Sequence, residues 1–173
     1  MKTEIRLSIS ERTPFAGGME FGTTGSYERI KGRVHFAVDP GEQAYSGITD
    51  LDKASRNKKG LVNYSTDFLI LKPLEWEKGN RRIFFDWGNR GNIRALQFFN
   101  DVVGSNEPQT LEEAGNGFLF RRGYSVVFAG WQGDLLAGNG SFLMDLPVAY
   151  DQGKTISGIV RCDYIMEEEG FTT

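Results

Sequence analysis

The sequence predicts an α/β fold, in which a β-rich first half leads into the first strands and helices of an α/β sheet that is incomplete in this chain. Apolar and polar residues alternate through much of residues 1–75, which is typical of half-buried strands. Residues 76–173 instead show the pattern strand, helix, helix, strand, followed by a β extension. Because domains commonly run to about 100–200 residues, we expect residues 1–173 to form a single domain.

The first half contains three strand patterns. Alternation over residues 5–9 indicates a half-buried strand, and apolar residues at even positions over 28–38 indicate a longer one. Gly32 occupies an even position in that second strand, which predicts a bulge or a close backbone contact. The continuous apolar run 68–71 suits a strand buried on both faces.

The second half begins with a strand over 81–87 and a loop with two glycines over 88–92. Ile93, Leu96, Phe99 and Val103 then follow at helical spacing, which predicts a short amphipathic helix ended by Gly104.

Thr110 and Glu113 match the capping-box pattern at the start of a helix. We expect this helix to reach Arg122, with an interruption at 115–117, and Gly123 to be its left-handed C-cap. A buried strand over 124–129 should follow.

Two further strands are predicted near the carboxyl end. Residues 142–148 alternate, and Pro147 favours an edge position for them. The apolar stretch 159–166 is the last strand candidate, and Cys162 within it is expected to be an inert buried thiol.

Composition excludes several classes of function. The net charge is −3, and the 20 Lys and Arg are interleaved with 23 Asp and Glu, so we expect no nucleic-acid partner. No apolar run approaches the roughly 18 residues of a membrane span, and the first residues lack a signal-peptide core. We therefore expect no membrane association and a cytoplasmic location, with a secreted form as the alternative. One Cys and one His leave no ligand set for a metal, and we expect no cofactor.

Catalytic motifs are largely absent. No serine lies in a G-x-S-x-G nucleophile elbow. His35 lies in a strand pattern and is expected to be structural or on the surface rather than a general base. Asp50 and Asp52 do not continue into a calcium loop, and the G-x-G at 115–117 lacks the rest of a dinucleotide fingerprint.

Two glycine-containing loops remain as candidates, 88–92 and 130–134, and each directly follows a predicted strand. Main-chain N–H groups in a strand-to-helix turn can stabilise an oxyanion at the carboxyl edge of a sheet. Alternatively, the glycines only allow the chain to turn tightly. Trp131 is a candidate pocket wall, although core packing would explain it equally well.

Several phrases in the second half resemble the early core of the α/β-hydrolase superfamily. They are NRGN at 89–92, GNGFL at 115–119, RRGY at 121–124, VV at 126–127 and GWQGD at 130–134. Upstream, PFAGG at 14–18, GRVHFAVDP at 32–40 and DLD at 50–52 resemble the N-terminal part of large bacterial α/β-hydrolase domain-containing proteins, mostly uncharacterised esterases. The resemblance covers about residues 3–165.

The resemblance implies an oxyanion loop formed by Asn89, Arg90 and Gly91, with Trp87, Asn92 and Trp131 as substrate-binding candidates. The implied function is serine ester hydrolysis of a small-molecule ester, with the nucleophile elbow outside these residues. We therefore expect a fragment or truncated product that is inactive alone and that self-associates through an exposed sheet edge. The alternative is a non-catalytic β-rich binding or assembly module.

Overall fold

A computed structural model describes residues 3–138, 140–161 and 163. The strands are β1 (Thr3–Pro14), β2 (Tyr27–Val38), β3 (Val62–Pro73), β4 (Ile83–Asp86), β5 (Ser125–Ala129), β6 (Met144–Asp145), β7 (Tyr150–Asp151) and β8 (Lys154–Thr155). The α-helices are α1 (Ala95–Phe99), α2 (Leu111–Ala114) and α3 (Phe118–Arg121). Short 3-10 helices span Phe15–Gly18, Gly22–Thr24, Gln43–Tyr45, Leu51–Lys53 and Trp76–Lys78.

Six strands form one mixed sheet, in which β1, β2, β3, β5 and β4 lie side by side in that order. The short β6 pairs with β3 beyond the end of β5. The long strands are antiparallel, whereas β4 and β5 are parallel. The predicted mixed α/β class with a β-rich first half is therefore confirmed, and few helices accompany the sheet.

Gly32 lies opposite Ile9, where the main chains of β1 and β2 are in close contact. A Cβ atom at this position would collide with the Ser8 carbonyl oxygen. The register of β1 shifts between Ile9 and Glu11, directly opposite Gly32. The prediction of a bulge or close contact at Gly32 is confirmed, with the bulge in the partner strand.

One face of the sheet, here called the helix face, carries the main core. Helices α1 to α3 and the 15–18 turn supply apolar side chains that pack against it, including Phe15, Leu96 and Phe120. The sheet residues of this face are Leu69, Leu71, Phe84, Val126 and Phe128.

The opposite face, here called the open face, has no α-helix packed on it among the described residues. A second, small core covers one end of this face and is formed by Val38, Val62, Ala54, Tyr45 and Leu51. The apolar side chains of the open face run across five strands and include Ile5, Leu7, Ile9, Phe36, Tyr64, Ile70, Val127, Ile83 and Phe85. Leu7 is 57% exposed, and its neighbours Ile5 and Ile9 are also more than half exposed. Towards the Val38–Val62 end of this face the rings of Phe36 and Tyr64 stack 4.7 Å apart.

The predicted helix over 93–103 is wrong in its extent, because α1 ends before Asn100. Asp101 adopts a left-handed φ of 56°, and Val103 is 90% exposed instead of packing in the core. The cause is the fully buried Asn100 side chain, which donates to the Ala114 carbonyl and accepts from the Leu119 N–H. Making these bonds turns the chain out of the helix before Gly104.

The predicted interrupted helix is confirmed as α2 and α3, which flank Gly115 and Gly117 at positive φ. The Thr110–Glu113 capping box is present. Burial raises the pKa of the Glu113 carboxyl, but hydrogen bonds from Ser105 and from the amides of Gln109 and Thr110 outweigh burial, so the pKa is lowered. Gly123 ends α3 with a φ of 76°, as expected for a left-handed C-cap.

Near the carboxyl end the strands are shorter than predicted. Within 142–148 only Met144–Asp145 pairs with β3. Residues 156–161 form no strand, and the rest of the predicted strand at 159–166, including Cys162, lies outside the described residues apart from Asp163. Among the described residues, no helix has the length and apolar character needed to cross a membrane.

Candidate functional site

The candidate site lies at the carboxyl ends of β4 and β5. These strands are parallel, with Asp86 opposite Phe128, so the loops that follow them leave the sheet at the same edge. This is the edge at which open α/β sheets bind ligands. The structure therefore brings together the two loops, 88–92 and 130–134, that the sequence singled out.

Three hydrogen bonds join the two loops. The Trp131 indole N–H donates to the Gly88 carbonyl at 3.2 Å. The Arg90 main-chain N–H donates to Oε1 of Gln132 at 2.8 Å, and its guanidinium donates to Asp134 at 2.6 Å. Hydrogen bonding to the Arg90 guanidinium lowers the pKa of the Asp134 carboxyl. Both members of that pair are exposed, so its chief effect is on orientation rather than stability.

Most N–H groups of the 88–92 loop are engaged in internal bonds. The Asn89 N–H donates to the Asn92 carbonyl at 2.8 Å, and the Asn92 N–H donates back at 3.1 Å. The Gly88 N–H donates to Asp86. Arg90 differs because its acceptor is a side chain of the other loop, and no hydrogen bond of the Gly91 N–H occurs within the described part of the chain.

Asp86 holds the start of this loop in place, a role that the sequence analysis missed. One carboxylate oxygen accepts from the Gly88 N–H at 2.8 Å, and the other accepts from the N–H groups of Arg94 and Ala95 at 2.7 Å each. An aspartate two residues before a glycine is typical of an Asx-turn, and that signal was available in the sequence.

Gly91 fixes the tip of the loop against Leu135, Ser141 and Phe142. Its φ is +78°, and a Cβ atom here would lie 2.8 Å from Cβ of Ser141. Its carbonyl accepts from the Phe142 N–H at 2.9 Å. Arg90 also has a positive φ of 52°, which is uncommon for a residue with a side chain. The loop is therefore a tight, clamped turn in which the glycine is required by both conformation and space.

The other predicted binding residues divide between structural and accessible positions. The Asn92 side chain donates to the Asn89 carbonyl and accepts from Nδ2 of Asn106, so it braces the loop. Trp131 is half exposed beside Gly88. Trp87 is 66% exposed, and its ring packs 4.8 Å from that of Phe85.

His35 lies away from this site. It belongs to β2 and pairs with Ser65, so β3 and β5 separate it from β4. There it lines an open cavity of about 660 Å³ on the β1–β3 part of the sheet, together with Arg6 and Asp145. Among the described residues, no group of three or more His, Cys, Asp or Glu side chains could hold a metal ion. The loop site thus has hydrogen-bond donors and an accessible aromatic side chain, Trp131, but no pair of a nucleophile and a histidine is assembled there.

Comparison of the chain with protein-family models, with curated proteins and with solved structures gave no match.

Proposed function

We propose that this chain is the N-terminal part of a serine ester hydrolase of the α/β-hydrolase type, and that the loop after β4 is its oxyanion loop. One observation carries the proposal: β4 and β5 are parallel, and their carboxyl-end loops contact each other through Arg90 and Trp131. In open α/β sheets, a strand followed by a tight glycine loop and a helix at that edge is the arrangement in which main-chain N–H groups bind a ligand.

Arg90 is the proposed oxyanion donor. Its N–H bonds to the side chain of Gln132, whereas the Asn89 and Asn92 amides bond to main-chain carbonyls. Rotation of one glutamine side chain would expose this N–H, whereas release of the Asn89 and Asn92 N–H groups requires the turn itself to break. The neighbouring Gly91 N–H has no acceptor among the described residues. Catalytic hydrogen bonds commonly tighten or rearrange only when substrate is bound.

In the proposed reaction a serine oxygen attacks the ester carbonyl carbon, and a histidine takes the serine proton. The carbonyl oxygen becomes an oxyanion, which accepts a hydrogen bond from the Arg90 N–H after Gln132 has released it. Collapse of this intermediate expels the alcohol, which receives the proton from the histidine, and water then releases the acid by the same steps. The serine and the acid–histidine pair come from a polypeptide segment other than residues 1–173.

The test is the natural reading frame that encodes this chain. We expect it to continue into a G-x-S-x-G elbow, and we expect the longer product to hydrolyse a p-nitrophenyl ester. Replacing the elbow serine by alanine should abolish turnover. A reading frame that ends without an elbow, or a longer product without esterase activity, would overturn the proposal.

A second function, assembly without catalysis, is favoured by the open face. Ile5, Leu7 and Phe85 are exposed there, and a sheet buries its apolar face against another layer. β1, β2 and β3 are 12 residues long, or about 40 Å, whereas β5 and β4 have 5 and 4 residues. Exposed apolar side chains occur on β1 and on β4, so they lie at both edges of the sheet. The proposed occupant is the open face of a second copy, packed sheet against sheet.

Sedimentation equilibrium tests this assembly. The wild-type chain should self-associate, Leu7→Lys should be monomeric, and Leu136→Lys should behave as the wild type. Leu136 is a matched control, because it is 92% exposed but lies outside the sheet. A compact monomer in the wild type, or equal effects of the two variants, would exclude the open face as the contact surface.

A further inference from the structure

A polar cleft of about 430 Å³ lies directly beside the oxyanion loop. It is lined by Asn92, Ile93, Arg94, Gln97, Gly104 and Asn106. Arg94 is the charged residue of this lining, and no carboxylate belongs to it. The cleft is therefore locally positive, although the whole chain carries a net charge of −3.

The Arg94 side chain has no partner among the described residues. Its Nε atom is buried and makes no hydrogen bond, and no ion pair involves its guanidinium. A buried donor that has left water without gaining an acceptor is energetically unfavourable. Such a donor in a protein surface cleft is satisfied when a ligand supplies the acceptor.

Three of the acidic residues that lie near the cleft-lining residues in the sequence are already bonded to other groups. Both oxygens of Asp86 accept main-chain N–H groups, including that of Arg94 itself. Glu107 pairs with Arg29 and Lys31. Glu113 accepts from the amides of Gln109 and Thr110. None of these three carboxylates is paired with the Arg94 guanidinium.

We propose that Arg94 binds a carboxylate of the substrate, so that the ester hydrolysed is one that also carries a free acid group. This inference rests on the proposed function, because it takes the adjacent loop as the place of the ester carbonyl. The planar guanidinium presents paired N–H groups that match the two oxygens of a carboxylate. Asn92 links the two sites, since its main chain closes the oxyanion turn and it also lines the cleft.

The binding test uses the 173-residue chain and needs no nucleophile. Monomethyl succinate, a half-ester with one carboxylate, is titrated into ¹⁵N-labelled chain and followed by amide chemical shifts. We expect shifts at Asn92, Gln97 and Asn106, with a dissociation constant on the order of 1 mM. Dimethyl succinate, which lacks the carboxylate, should bind at least about tenfold more weakly, since charged hydrogen bonds are the strong ones.

Variants locate the charge that is responsible. Arg94→Gln should weaken monomethyl succinate binding about tenfold or more. Arg94→Lys keeps the charge but loses the paired N–H groups, so its affinity should lie between those of the wild type and Arg94→Gln. Arg82→Gln is the matched control, because Arg82 also lacks an ion pair among the described residues but is exposed and lines no part of this cleft. Dispersed amide spectra of each variant show that it is folded.

Three results would overturn the inference. They are equal binding of the half-ester and the diester, unchanged binding in Arg94→Gln, and inorganic phosphate binding as tightly as monomethyl succinate. Failure of the proposed function is separate from these. A reading frame without esterase activity, with half-ester binding intact and dependent on Arg94, would remove the hydrolase while retaining the carboxylate site.

Discussion

On the helix face of the sheet, Leu69 and Leu71 are completely buried beneath helices, whereas on the open face Ile5, Leu7 and Ile9 remain more than half exposed. The two sets belong to one sheet and have similar side chains. Two things differ between them: Leu69 and Leu71 lie in the central strand β3 beneath the helices, whereas the other three lie in the edge strand β1. On the open face the central residue Phe68 is only 4% exposed. An apolar sheet face becomes a core only where another element covers it.

The candidate site follows the same division. The loop after β4 is held by Asp86, Ser141 and Phe142, and α1 packs on the helix face directly after it. Trp87, by contrast, packs its exposed ring against Phe85 on the open face. We infer that the helix face sets the geometry of the loop, and that the exposed part of the open face is available to pack against a further layer.

The largest expected effect contrasts a buried aromatic residue of the helix-face core with an exposed aliphatic residue of the open face. Phe120 is fully buried and packs against Phe15, Phe21 and Tyr27. Phe120→Ala should lower the free energy of unfolding by about 3–5 kcal/mol. Leu7→Ala on the open face should change the free energy of unfolding of the monomeric chain by no more than about 0.5 kcal/mol. Urea unfolding measures both, and comparable losses would show that the open face is covered in solution.

Arg29 tests the polar rim of the helix face, a name used here for the hydrogen-bond network of Arg29 with Glu11, Glu107 and the Pro108 carbonyl. Its fully buried side chain donates to Glu11 and Glu107 at 2.6 Å each and to the Pro108 carbonyl at 3.1 Å. It therefore ties β1 and the 107–108 segment to β2. Arg29→Met should destabilise the fold by roughly 3 kcal/mol, because a buried ionic network loses its central partner.

Thermal unfolding checks this effect, and Arg12→Met supplies the control. Arg12 also pairs with a glutamate, Glu28 at 3.5 Å, but its side chain is 60% exposed. A loss as small as that of the control would mean that the Arg29 network does not hold the rim.

The capping box should have a smaller effect. Thr110→Ala removes the side-chain acceptor for the Glu113 N–H at 3.3 Å, and loss of such a cap costs about 1 kcal/mol. The loss in free energy of unfolding, measured with denaturant, should therefore be smaller than that of Phe120→Ala and larger than that of Leu7→Ala. An unchanged midpoint would indicate that packing alone holds α2.

Acid should weaken the helix-face rim through Glu11. Hydrogen bonding to the Arg29 guanidinium lowers the pKa of the Glu11 carboxyl below its ordinary value of 4.5. A depressed pKa contributes stability above the unfolded value, and this contribution is lost as pH falls through the folded value. The urea midpoint of the wild type should thus drop as pH falls below about 4.5.

Glu11→Gln should reduce that acid dependence, because it removes the titrating group while keeping a hydrogen-bond acceptor. An identical pH profile in the variant would show that other carboxylates account for acid unfolding.

Local patterns predicted much of the fold correctly. Alternation found β2 with nearly its true bounds, and the Thr110–Glu113 spacing found the cap of α2. The two glycines that divide α2 from α3 were also recognised, because positive φ strongly favours that residue. These features are properties of short segments, so a single sequence contains them.

Features that depend on distant partners were missed. The buried Asn100 ends α1 through bonds to Ala114 and Leu119, which helical periodicity alone does not reveal. Likewise, the Gln132 side chain meets the Arg90 N–H only because β4 and β5 are neighbours. The alternation in β1 predicted a half-buried strand, but it did not reveal that its apolar side faces no second layer.

The most direct test of the central claim is the kinetic effect of Gly91→Ala in the proposed full-length esterase, with Gly60→Ala as control. Both glycines have a φ near +78° (+78° and +79°), but a Cβ atom would meet Ser141 and Leu135 at Gly91 and nothing within 4 Å at Gly60. If the loop after β4 binds the oxyanion, Gly91→Ala should lower kcat by about 10²–10³, and Gly60→Ala should leave it within about twofold. Equal kcat values for the two variants would contradict the account.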